Sequence, residues 1–141
     1  MGPYAPQLHI CGGRGWNNDA VFARLDALPA DGPVVERTGL SDGDMAALLQ
    51  GSNGLLFPSL AEGFGLPLIE AATLGVPIIC NPLDVIHEIL GDIPVYAAVS
   101  DSYLWTNGIK ELAHADPEAV GAPRYRPQTW DDHFKVTLRM F

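Results

Sequence analysis

Apolar residues along this chain come in short runs separated by longer polar or mixed stretches. Leu8 to Cys11, Val34 to Arg37, Gly54 to Pro58 and Val76 to Asn81 read as strands, with Pro94 to Ala97 a shorter fifth. The run Leu55, Leu56, Phe57 has no polar alternation, as expected of a strand covered on both faces of a parallel sheet. Between the runs the period changes to that of a helix. Asn18 to Leu28 places Val21, Phe22, Leu25 and Leu28 on one helical face. A second helix begins at Ser41, whose side chain is spaced to cap the N–H of Asp44, and carries Met45, Leu48 and Leu49. A third starts near Leu66 or Pro67, where proline suits the first turn, and stops at Gly75. Ile86 to Leu90, closed by Gly91, and Ser102 to His114 follow. After the Pro-rich connection beyond Asp116, residues 127–141 form a closing segment with a helix from Thr129 to Met140. Strands alternating with helices predict an α/β fold, Rossmann-like, with a mostly parallel sheet and flanking helices. The expected organisation is a single domain over residues 1–141.

Composition narrows the setting. Hydrophobic residues make up 48% of the 141 positions, enough for a packed core. No run approaches the ~20 apolar residues of a membrane span, and no basic region followed by an apolar one opens the sequence, so the expected location is the cytoplasm. The net charge of −9 argues against nucleic acid as a partner. Between Arg37 and Lys110 there is no Lys or Arg at all. A phosphate bound there would rely on backbone N–H groups and helix ends. Cys11 and Cys80 end strand-like runs without metal-ligand spacing and are expected to be buried thiols.

The segment richest in chemistry runs from Pro58 to Ala71, from the end of a strand into a helix. In an open α/β sheet that edge is where ligands bind. The glycines of Gly63-Phe64-Gly65 let the backbone turn and approach a ligand closely. The free N–H groups at the start of the helix form an anion site that needs no basic side chain. Glu62 in the loop and Glu70 one turn into the helix frame it with two carboxylates, acceptors suited to paired sugar or ribose hydroxyls. A nucleotide-sugar offers both a diphosphate and such hydroxyls. A solvated loop acid and a helix-start acid account for the same two residues equally well.

The Glu62 to Glu70 segment, Glu-x7-Glu around Gly-Phe-Gly-Leu-Pro, resembles the signature of the retaining glycosyltransferases of family 4, which have the GT-B architecture. The likeness extends to Leu8-His9-Ile10-Cys11-Gly12 with Gly15-Trp16, to Val35 through Asp42, to Phe57-Pro58-Ser59 and to Trp130 through Phe134. It implies the donor-binding, C-terminal domain of such an enzyme, working in polysaccharide biosynthesis by moving a hexose from a nucleotide-diphosphate sugar to a glycan or lipid-linked acceptor. Carried onto this sequence, it makes Glu62 the catalytic-site carboxylate on the donor sugar. Gly63, Phe64, Gly65 and Leu66 become backbone contacts to sugar and diphosphate, Glu70 the ribose ligand, and the loop holding Thr38 and Leu40 the neighbour of the base. No metal or other cofactor is implied.

A complete enzyme of that family has a second Rossmann-like domain for the acceptor, which 141 residues do not accommodate. The resemblance also begins at the donor domain's second strand, leaving out the first strand and the usual basic pair on the diphosphate. Arg14 is the nearest substitute. The implied partners are a nucleotide-sugar and either a separate acceptor-binding domain or chain, or further copies joined through exposed sheet edges. The complete enzyme would be peripheral to the membrane. The alternative is a non-catalytic Rossmann-like binding or interaction module. Elsewhere, Asp131, Asp132 and His133 point in different directions on a helix and are read as a solvated face, not a metal site. His87 is read as a surface histidine. Trp16 with Asn17 and Asn18 is read either as lining the sugar site or as a packed loop aromatic and a helix cap.

Overall fold

The computed structural model describes residues 6–115 and 123–139. It divides into two compact units, residues 1–47 and 48–141. In the first unit, β1 (Leu8–Cys11) pairs in parallel with β2 (Val34–Arg37), Leu8 opposite Val34 and Cys11 opposite Arg37. The connecting helix α1 is Asp19–Asp26. Helix α2, Asp42–Gln50, spans the division in sequence. Its start is fixed as the sequence suggests. Ser41 Oγ accepts from the Asp44 N–H at 3.2 Å and donates to the Asp44 carboxylate at 2.6 Å.

In the second unit, β3 (Leu55–Phe57), β4 (Ile78–Cys80) and β5 (Val95–Tyr96) form a parallel sheet in that order. Helices α3 (Leu66–Leu74) and α4 (Asp84–Leu90) are the crossovers. Helices α5 (Ser102–His114) and α6 (Trp130–Leu138) follow. Helix α3 ends as its sequence dictates: Gly75 takes φ 75° and the next N–H, of Val76, returns to the Ala71 carbonyl at 2.9 Å. Thr129 caps α6 with a reciprocal Thr129–Asp132 box, which occupies one of the carboxylates of the Asp-Asp-His run. The expected helix end at Met140 lies outside the described residues. Helix α4 starts at Asp84, two residues before the expected Ile86, because Leu83 is still extended and Asp84 suits the positive end of the helix.

The α/β class and the parallel pairing agree with the sequence. Among the described residues the strands nevertheless form two sheets, β1-β2 and β3-β4-β5. Among the described residues β1, β2, β3 and β5 each keep one edge without a ladder partner.

The core belongs to the second unit. Leu68, Ala71 and Ala72 of α3, all of β4, and Ile86 and Leu90 of α4 are buried. Strand β4 is central and covered on both faces, so it is apolar throughout. Among the described residues of the first unit none is fully buried. Cys11 is accordingly exposed, against expectation: it ends β1, whose residues are at most half-buried. Cys80 is buried, and burial pushes its thiol up to about 11, which leaves it unreactive. Hydrogen exchange should follow this division. We expect the β1 and β2 amides to exchange well before those of β4; equal protection in the two sheets would show that the units open together.

Candidate functional site

Strand β3 ends at Phe57, Pro58 follows, and the chain then turns through Ser59 to Gly65 before α3 begins. Gly65 is the pivot of this turn, with φ 73° and ψ 47°. That left-handed conformation costs an L-residue with a Cβ, and glycine avoids the cost. Gly65 is also buried, and a Cβ there would lie 2.6 Å from Ile86 Cδ1 and 3.0 Å from Leu68 Cδ1. The turn is thus pressed directly onto the core. Gly63, two residues earlier, has open space where its Cβ would be.

The donors at the helix start are fewer than the sequence suggests. Leu68 and Ile69 N–H already bond to the Gly65 carbonyl, at 3.0 and 3.2 Å, and Pro67 has no N–H. The N–H groups of Gly63, Phe64, Gly65 and Leu66 have no hydrogen-bond partner among the described residues. They are the donors that remain for a ligand. Phe64 and Leu66 are 55% and 60% exposed, large apolar surfaces beside those amides. Glu62 and Glu70 are both exposed, one on each side of the turn. The predicted residues Glu62, Gly63, Phe64, Gly65, Leu66 and Glu70 therefore share one turn and the first part of one helix.

The other three predicted residues lie in the first unit. Thr38 and Leu40 flank Gly39, at φ 68°, in the loop after β2, Thr38 exposed and Leu40 half-buried. Arg14 is held between two carboxylates. Its Nε donates to Glu36 at 3.0 Å, its Nη2 donates to Glu36 at 2.7 Å, and its Nη1 donates to Asp26 at 3.1 Å. Its guanidinium also lies 5.1 Å from the Phe22 ring centre. The hydrogen bonds to Arg14 hold the Glu36 and Asp26 carboxyls below the usual carboxylate range, and those same bonds, Glu36 first, raise the guanidinium. Arg14 is thus charge-neutralised within its own unit.

Trp16 is 87% exposed, not packed, and the Asn18 side chain donates to the Trp16 carbonyl at 3.3 Å instead of capping α1. His87 stacks on Tyr96 at 3.7 Å between ring centres, and the Tyr96 hydroxyl donates to the Gly91 carbonyl at 2.6 Å. Burial is the main cause that pushes that phenol up to about 12.

Sequence reasoning overlooked one residue of the turn. Ser59 Oγ lies 2.9 Å from Glu62 Oε1 and 2.9 Å from the Ala61 carbonyl. The Ser-x-x-Glu spacing is that of a helix capping box and was a usable signal, although here it occurs in a loop.

Among the described residues no helix is long and apolar enough to cross a membrane. Residues 4–115 match the family model described as glycosyl transferases group 1. Several mannosyltransferases are similar in sequence. The O-antigen chain mannosyltransferase B of Escherichia coli is 31% identical over 94 residues, 67% of this chain and 25% of that protein. The serotype-specific mannosyltransferase WbdA of Escherichia coli is 35% identical over 99 residues, 70% of this chain and 11% of that protein. The O-antigen chain mannosyltransferase RfbU of Salmonella typhimurium is 32% identical over 81 residues, 57% of this chain and 23% of that protein. The chain thus spans a quarter or less of the length of these relatives. No solved structure matches it. With the family match covering most of its length and the Gly63–Leu66 turn opening α3 inside the matched region, the chain belongs to the group 1 glycosyl transferases.

Proposed function

We propose that the 62–70 segment binds a nucleotide-diphosphate hexose and that the chain is the donor-binding part of a retaining glycosyltransferase acting on a glycan or lipid-linked acceptor. The observation that carries this reading is the set of unpartnered amides at Gly63–Leu66, framed by Glu62 and Glu70, in a stretch without Lys or Arg. Glu62 accepts hydroxyls of the donor sugar and Glu70 those of the ribose. The amides and the positive end of α3 stabilise the diphosphate as it leaves, so no metal is needed. The names of the relatives make mannose the first hexose to try. The acceptor site comes from a further domain or chain.

A second reading, a binding module that no longer transfers sugar, is favoured by one observation. Arg14, the residue expected to stand in for the usual basic pair, is already paired with Glu36 and Asp26. Calorimetric titration of the full chain with GDP-mannose and UDP-glucose tests the donor site on which the first reading depends. Saturable binding of either supports the donor site, and a folded sample that binds neither refutes it.

A further inference from the structure

We propose that Ser59 is a positioning residue for Glu62, holding its carboxylate in place before the donor arrives; this rests on the nucleotide-sugar reading of the segment. Glu62 is an exposed loop residue, and a glutamate side chain left to itself samples many rotamers, freedom that a ligand must remove on binding. Ser59 removes part of it in advance. Its Oγ lies 2.9 Å from Glu62 Oε1, close enough for a charge-assisted hydrogen bond.

The anchor itself is well fixed. Ser59 is half-buried and lies two residues past the end of β3, behind Pro58, whose ring sets the backbone. The Ala61 carbonyl, also 2.9 Å away, is a second acceptor for the same hydroxyl. A serine hydroxyl has one proton, and both neighbours accept only, so the proton is shared or alternates between them. The carboxylate is the stronger acceptor. An ionised carboxylate has about four acceptor positions. One used by Ser59 leaves room for two hydroxyls of a sugar. The serine therefore orients Glu62 without competing with the ligand.

This arrangement affects the sugar and not the nucleotide. The diphosphate is met by the amides of Gly63–Leu66 and the ribose by Glu70, neither of which touches Ser59. GDP lacks the hexose and serves as the internal control for GDP-mannose. In titrations of the full chain, Ser59→Ala is expected to weaken GDP-mannose by about fivefold, the worth of one hydrogen bond, with GDP binding unchanged. Ser59→Thr, which keeps the hydroxyl, is expected to restore GDP-mannose binding. In the Glu62→Ala background Ser59→Ala should add nothing, because the serine acts only through that carboxylate. An unchanged ratio of GDP-mannose to GDP affinity in Ser59→Ala overturns the proposal, as does a full additive loss in the double variant. If the wild-type chain binds none of GDP-mannose, GDP and UDP-glucose, the nucleotide-sugar reading fails and this proposal with it.

Discussion

Replacing Gly65 with alanine should destabilise the second unit by about 3 kcal/mol, from a left-handed backbone that disfavours a Cβ and from overpacking of the core. The added carbon would lie 2.6 Å from Ile86 Cδ1, and Ile86 is only 1% exposed, so its methyl group has no free space to retreat into. Thermal denaturation followed by circular dichroism should show a fall of about 10 °C in the midpoint. Gly63→Ala is the matched control. Its Cβ would meet nothing within 4 Å, so stability should change by less than ~0.5 kcal/mol. Under the proposed function, however, the carbon enters the space beside the ligand-facing amides, and GDP-mannose binding should weaken. A Gly65→Ala protein as stable as the wild type would mean that the turn at 65 relaxes away from the core. A Gly63→Ala protein that keeps full affinity would place the diphosphate elsewhere.

Glu70→Ala should have the largest effect on donor binding with little effect on folding. Glu70 is exposed in α3 and alanine is a strong helix former, so the melting temperature should hold. Two hydroxyls donating to one carboxylate are each worth about 1.5–3 kcal/mol, so removing the carboxylate should cost at least about 100-fold in affinity for both GDP-mannose and GDP. The loss on both probes is what distinguishes a ribose ligand from a sugar ligand. A selective loss on GDP-mannose would move Glu70 to the hexose end of the site, and no loss on either would return it to the role of a solvated helix acid.

How much of this was legible in the sequence depends on the distance over which each feature is decided. Helix α5 could be read as Ser102–His114 because its periodicity is local, and Asp101 caps it through the Leu104 N–H. The end of α3 at Gly75 and the start of α2 at Ser41 were legible for the same reason. The glycine turn was visible as a motif, but its tight contact with Ile86 was not, since that contact spans a strand and part of two helices. Arg14 illustrates the limit best. As a lone basic residue in a glycine loop it reads as a phosphate contact, and its bond to Glu36, 22 residues away and brought to it by the pairing of β1 with β2, is not visible in the local sequence. Cys11 departs from its expected burial because a strand-like apolar run implies burial only where something covers it, and β1 is covered incompletely. The separation into two sheets follows from which strands pair, a choice that no single run of residues encodes.

The contact between Gly65 and Ile86 gives an apolar position influence over a polar task. Amino-acid drift at residue 86 toward a bulkier or differently branched side chain would reshape the Gly63–Leu66 turn through a single methyl group, with Glu62, Glu70 and the turn's glycines still in the sequence. Under the proposed function, donor binding in a descendant of this chain would then be lost from inside the hydrophobic interior, where a comparison restricted to Glu62, Glu70 and their neighbours would find nothing changed.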